Sequence, residues 1–321
     1  MNAQDELAAL IGRHATKDGT NPTGIPRLKL IQGSRPTGPR HALHEPALCI
    51  VARGKKRVLL GEEAYLYGPE QYLIVSVDLP VVAQVLEADP DDPYLCFRLD
   101  LDAAMLGELL AEAGLDAAPD GHAGPGLTLS PADPGLLDAA VRLVRLLDTP
   151  RDAGVLAPLA EREILYRLLT GDRAGLVWRI GLPGGKMGQV GRAIAWIKQH
   201  YREPFRVERV ASEASMSTSA LHHHFKAVTN MSPLQYQKRL RLQEARRLIL
   251  GSSVDAASAG FSVGYASPSQ FSREYGRLFG APPMRDTEGL KASFRNPTDT
   301  AQRPRTAQRP RGVGAGGTEP L

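Results

Sequence analysis

Three consecutive histidines, His222, His223 and His224, stand in the stretch SALHHHFKAV. Imidazoles in a row could hold a metal, move protons or contact a polar ligand. Leu221 and Phe225 flank them four residues apart, the spacing of one helix face, so the run reads as a short amphipathic helix. At about 100° per residue the three rings fan around more than half its circumference, whereas a helical metal site needs ligands at i and i+4 on one side. A shared ion is not expected. The other candidate constellation is His41-Ala-Leu-His44-Glu45, because barrel folds host metals at inward histidines beside a carboxylate. On a strand, positions 41 and 44 point to opposite faces, and His122, in the polar GHAGPG stretch, does not complete the set. Neither metal nor cofactor is expected, and no Gly-rich phosphate loop or nucleophile, base and acid set stands out. The chain does not read as an enzyme, although a metal-dependent barrel enzyme with a DNA-binding appendage would show bound metal that His44→Ala loses.

These residues need elements to position them. From Pro46 to Asp102 the runs ALCIVARG, KKRVLLG, EAYLYG, QYLIVSV, VVAQVLEA and PYLCFRLDLD alternate with turn formers, as in an antiparallel barrel or double-sheet roll. Cys49 and Cys96 lie inside two of these runs and are expected as buried, reduced thiols. Helical spacing follows over Ala103–Ala113, Pro134–Asp148 and Val155–Thr170, a leucine-rich stripe that either packs on the barrel or forms a dimer seam. The expected organisation is an N-terminal extension at 1–21, a sensory and dimerisation barrel with helices at 22–170, and a Gly-rich linker at 171–188. An all-α unit follows at 189–286, and 287–321, with TAQRPR twice in succession, is expected to be a disordered tail.

Charge divides along the same line. Residues 1–183 carry 18 Lys/Arg against 25 Asp/Glu, whereas 186–285 carry 15 against 6. A basic block beside an acidic one suits a nucleic-acid-binding unit joined to a sensory one, because phosphate neutralisation supplies most non-specific DNA affinity. A solvated basic surface would leave the same imbalance. No apolar run approaches a membrane span and the N-terminus lacks a secretion signal, so a cytoplasmic protein is expected.

The basic block contains a repeat. Laying ASEASMSTSALHHHF over AASAGFSVGYASPSQFSREY gives the same layout twice: a short helix, a tight turn and a capped helix from Ser217 or Ser267. Leu221 matches Phe271 and Phe225 matches Tyr275, both offset by fifty residues. Two helix-turn-helix units joined by a long helix from Pro233 to Gly251 is the inference. With those apolar pairs inward, the opposite face carries Ser219 and His223, flanked by His222, in the first unit, and Ser269 and Arg273, flanked by Gln270 and Arg277, in the second. Such groups can donate to purine N7 and O6 or to phosphate from helices that fit a major groove. His224 falls nearer the core. Thr218, Lys226 and Arg277 complete the expected DNA-binding set, with the backbone N–H groups at the capped helix starts.

At this point the chain resembles the AraC/XylS family of bacterial transcription regulators over nearly its whole length. The resemblance rests on VERVASEASMSTSALHHHFKAVTNMSPLQYQKRLRLQEARRLIL, on VGYASPSQFSREYGRLFGAPPMRD and on the barrel-like stretch from TGIPRLKLIQG to YLIVSVDLPV. It implies an α+β architecture: a cupin-like antiparallel β-barrel with following helices, then two helix-turn-helix units. Carried over, the family's base-reading positions fall on Ser219, His223, Ser269 and Arg273, beside Pro268. The family commonly has arginine where His223 stands and an apolar residue at His224. One imidazole donor in place of a bidentate fork implies weaker or pH-dependent base reading by the first unit. The implied partners are duplex DNA, read in two major grooves about one turn apart, a small-molecule effector in the barrel, RNA polymerase if the protein is an activator, and a second copy. A ligand-binding module acting through protein contacts alone would instead leave no operator footprint.

Overall fold

The computed structural model describes residues 2–69, 71–115, 124–181, 185–251 and 254–295. His122, the TAQRPR repeats and the tail beyond 295 lie outside them.

Two antiparallel sheets build the N-terminal half. One runs β1 (Gly19–Pro22), β2 (Leu28–Gly33), β9 (Tyr94–Asp100), β4 (Ala47–Arg53), β7 (Gln71–Val75), β10 (Leu127–Pro131); the other runs β3 (Arg40–His44), β8 (Leu79–Glu87), β5 (Lys55–Leu60), β6 (Glu63–Tyr67). The unbroken apolar run of β4 follows from burial on both faces. Leu48 and Ile50 meet a helical layer together with Phe97 and Leu99, while Cys49 and Val51 face the second sheet with Tyr94 and Cys96. The helical layer contains α2 (Ala103–Glu112), α3 (Pro134–Arg145) and α4 (Pro150–Thr170). The α3 stripe Leu136, Ala140, Val141 and Val144 is buried between α4 and the N-terminal helix within this layer, so it is not free to form a seam.

Three segments expected to lie outside the folded units contain helices. Within the predicted extension 1–21, α1 (Ala3–His14) is capped by Asn2 and buries Leu7, Leu10 and Ile11 against the first sheet. Gln4 there donates from Nε2 to the Val51 and Ala52 carbonyls. So short a helix is marginal alone and is held by its apolar face. The predicted linker 171–188 contains α5 (Ala174–Gly181), with Val177 and Trp178 buried and Trp178 Nε1 donating to the Leu169 carbonyl at 2.9 Å. Its Gly181 permits close approach rather than flexibility, because an added Cβ would lie 2.9 Å from the Gly107 nitrogen. α12 (Pro283–Arg295) crosses the expected start of the tail at 287, and Thr287 is buried.

The C-terminal helices are α6 (Gly185–His200), α7 (Val207–Glu213), α8 (Thr218–Thr229), α9 (Pro233–Gly251), α10 (Ala256–Ser262), α11 (Pro268–Phe279) and α12. Leu221, Phe225, Val228 and Tyr236 share one continuous core with the space between the two sheets, whereas Phe271, Tyr275, Val263 and Ala245 form a separate core. Among the described residues no helix is long and apolar enough to cross a membrane.

Candidate nucleic-acid interface

Two helices carry the predicted contacts, and local sequence sets both. Ser217 is the N-cap of α8 and accepts from the Ala220 N–H; Ser267 does the same for α11 from Gln270, with Pro268 at the first helical position. Asn230 ends α8 at φ 55° and Gly280 ends α11 at φ 82°, fifty residues on. The preceding turns match as well. Met216 N–H donates to the Ala211 carbonyl and Tyr265 N–H to the Gly260 carbonyl, with Ser215 or Gly264 at positive φ. Between the units, Ser232 and Gln235 form a reciprocal cap on α9: the Ser232 hydroxyl accepts from Gln235 N–H, and the Gln235 side chain accepts from Ser232 N–H.

The inward pairs Leu221 and Phe225, and Phe271 and Tyr275, are all buried. Thr218, Ser219, His222, His223 and Lys226 on α8 are exposed, as are Ser269, Gln270, Arg273 and Arg277 on α11. His224 is half-buried, its ring edge 5.0 Å from that of His223 between centroids. Among the described residues Lys226, Arg273 and Arg277 make no ion pair, so their charge is available to an anion. The carboxylate that α11 itself carries is occupied: Glu274 takes Lys238 Nζ at 2.8 Å, the Tyr265 hydroxyl at 2.8 Å and Gln270 Nε2 at 3.3 Å. Its pKa is lowered by these donors despite burial, so the carboxylate stays ionised and paired. Gln270 is thus tethered at its amide nitrogen.

Supports that the sequence reading missed lie behind the two faces. Arg241 on α9 donates to the Tyr201, Glu203 and Gly264 carbonyls, tying the second turn to the end of α6. Arg246 makes a bidentate pair with Asp286 at 2.8 Å, and the Tyr275 hydroxyl donates to the same carboxylate, joining α9, α11 and α12. A paired cation at helical spacing could have flagged Arg246, but its partner lies forty residues away.

The barrel grips the first unit. Asn230 Nδ2 donates to the Leu60 carbonyl at 3.3 Å and to Glu63 at 2.9 Å, Gly126 N–H donates to the Val228 carbonyl at 2.8 Å, and the Tyr236 hydroxyl donates to the Asp78 carbonyl at 2.8 Å. Lys198 pairs with Asp78 at 2.6 Å. The second unit touches the barrel at its edge, where the His41 ring meets Phe279 at 4.7 Å and Gln243 donates to the Ala42 carbonyl at 3.4 Å. His44 turns the other way, toward Cys49, so the two histidines of the HALHE stretch do not converge. Burial lowers the His41 pKa to about 4, and nearby Arg246 and Arg239 add to the shift.

A two-sheet barrel followed by a pair of capped helix-turn-helix units defines a two-headed DNA-binding architecture with a covalently attached barrel domain. The family described as AraC-type transcriptional regulator N-terminus matches residues 24–176, and a helix-turn-helix domain family matches residues 210–288. The chain belongs to the AraC/XylS family of transcriptional regulators. It is similar to the HTH-type transcriptional activator RhaS of Escherichia fergusonii, 30% identical over 165 residues, which are 50% of this chain and 58% of that one. The RhaS of Salmonella agona is 31% identical over 160 residues, 49% of this chain and 56% of its own length. The chain thus spans little more than half the length of the curated relatives it matches. In fold it is similar to ToxT of Vibrio cholerae with an unsaturated fatty acid bound, at TM-score 0.52 and 9% identity, covering 84% of this chain and 96% of ToxT.

Proposed function

We propose that this protein is a cytoplasmic, non-enzymatic regulator of transcription that reads duplex DNA through α8 and α11 in successive major grooves. The observation that carries this is the doubled geometry: two helices with the same cap, buried apolar pair and C-terminal left-handed residue, each exposing hydroxyl, amide, imidazole or guanidinium donors. Ser219, His222 and His223, with Ser269, Gln270 and Arg273, read base edges. Thr218, Lys226 and Arg277 contact phosphate or backbone, helped by the first free N–H groups of each helix. Selection of a bound sequence from random duplexes, followed by affinity measurement, tests this. Arg273→Ala costs about 1–3 kcal/mol on the selected sequence and relaxes one base position. Equal losses on selected and random DNA sink base reading by Arg273.

Residues 22–170 act as the sensory and dimerisation unit and 189–286 as the DNA-binding unit. The fatty acid held by ToxT supports a small-molecule effector for this chain. A cavity of about 360 Å³ lined by His41, Leu43, Lys198, Tyr201 and Leu240 gives such a molecule room at the seam between units, beside the barrel interior. A second copy fits α4, where Val155, Leu159 and Tyr166 are 71%, 60% and 46% exposed along one helix face. Activation through RNA polymerase is proposed from the description of the RhaS relatives as activators.

A further inference from the structure

The long helix α9 serves both heads at once. Leu240 packs into the core that α8 shares with the barrel, Leu242 packs into the separate core behind α11, and Arg241 stands between them. Apolar packing of this kind holds the heads close but is non-directional, so it fixes their relative angle only loosely. Arg241 supplies the direction. Its Nε donates to the Tyr201 carbonyl at 2.5 Å and its Nη2 to the Glu203 carbonyl at 2.7 Å, both at the link from α6 to α7 in the first head. Its Nη1 donates to the Gly264 carbonyl at 2.9 Å, in the turn between α10 and α11 of the second. One planar guanidinium, its donors set in a rigid fork, thus ties the backbone of both heads to the same helix.

The rest of the joint is built for close approach. Gly264 has φ 92°, and an added Cβ there would lie 2.1 Å from the Arg202 carbonyl oxygen, so the second turn presses directly on the α6–α7 link. Buried Gln237, one helical turn before Arg241 on α9, donates from Nε2 to the Glu203 carbonyl at 2.9 Å and holds the same link. The Arg241 guanidinium also lies over the Tyr265 ring, 5.8 Å from its centroid. The matching turn of the first unit is satisfied locally. There Ser215, at φ 55°, occupies the place of Gly264, and its carbonyl accepts from Gln189 Nε2 on α6, inside its own head, at 2.6 Å. The carbonyl of the second turn is bonded instead by the residue that also holds the other head.

We propose that Arg241, seated against Gly264, is a positioning residue that sets the angle between α8 and α11 and thereby the half-site spacing the protein accepts. One added base pair moves the second groove by about 3.4 Å and turns it by about 35° around the duplex axis. Heads locked at one angle must strain to follow that shift. Heads free to turn on α9 follow it at little cost, but they gain less from binding together at the matched spacing. The spacing specificity rests on the DNA-binding function proposed above, whereas the joint between the heads does not.

The test compares full-length wild type, Arg241→Met and Arg241→Lys on a duplex selected by the wild type. The same duplex is also made with one base pair inserted between the half-sites, and with either half-site scrambled. The insertion should cost wild type at least about tenfold in affinity and Arg241→Met less than about threefold, with Arg241→Lys, which keeps the charge but not the fork, in between. Duplexes with a single intact half-site should be bound alike by all three, because neither recognition helix is altered. An insertion penalty as large in a folded variant as in wild type overturns the proposal. So does an equal loss of affinity on single and paired half-sites, which would make Arg241 a support of one head only. If Arg241→Met does not fold, Arg241→Lys decides. Spin labels at Glu213→Cys on α7 and Glu288→Cys on α12, both exposed, read the joint without DNA, and the buried Cys49 and Cys96 stay unlabelled. The distance distribution should broaden in the variants, and equal widths overturn the joint. If wild type selects no duplex, these distances still decide the joint, and the failure belongs to the DNA-binding proposal.

Discussion

The two helix-turn-helix units match position for position from cap to cap, yet they rest on different foundations. The first has no core of its own: Leu221, Phe225 and Tyr236 pack into the cluster that fills the barrel, and backbone bonds from Gly126 and Asn230 tie the end of α8 to it. The second is built around Phe271 and Tyr275 and braced by Arg246 and Asp286, and among the described residues it meets the barrel at the His41 and Ala42 edge. One local pattern can therefore supply two heads with different mechanical roles. The head whose support is continuous with the barrel is placed to feel what happens there, and the self-supporting head carries Arg273, the guanidinium proposed to read bases.

The sharpest test is truncation of equivalent aromatics. Phe225→Ala and Phe271→Ala should each cost about 3–5 kcal/mol where they pack. In thermal or urea unfolding, Phe225→Ala should destabilise barrel and first unit together, while Phe271→Ala should lower protection only in the second. Equal spread of the damage would erase the distinction.

A smaller effect should come from the pair of helix ends. Asn230→Gly keeps the left-handed backbone but removes the donor to Leu60 and Glu63, and should cost about 0.5–1.5 kcal/mol. At the second unit, Gly280→Asn meets no neighbour within 4 Å, so its cost is only that of placing a side chain at φ 82°, up to about 1 kcal/mol. No loss from Asn230→Gly would show that the barrel clasp contributes nothing.

The least effects are those of pH. The folded His41 pKa near 4 lies below the ordinary value of 6.5. The unfolded chain therefore binds the extra proton first, and stability should fall as pH drops from 6.5 toward 4, then level off. Burial, with Arg246 and Arg239, opposes the charge, and Asp286 partly offsets them. His41→Leu should flatten that slope in urea midpoints; an unchanged slope removes His41 from the seam.

Much of this molecule could be read from local pattern. The six strand runs of the barrel, the caps at Ser217 and Ser267, the long helix over Pro233–Gly251 and the outward set from Thr218 to Arg277 follow from period, capping residues and turn formers, which act within one or two turns of chain. The segments that local pattern did not supply share a cause. The helix α1, the edge strands β1 and β10 and the Gly-rich α5 are weak in isolation, and only docking decides them: Trp178 under Leu169, Gly181 against Gly107, Leu7 and Ile11 on the sheet.

What the chain alone determined is the existence of two equivalent, outward-donating helices, because helical period and capping are short-range. What only the assembled structure decided is which of them shares a core with the barrel, and that His44 turns toward Cys49 inside it. The shared core joins residues far apart in sequence, and it forms when strands and helices bury common apolar surface, an outcome no local spacing encodes.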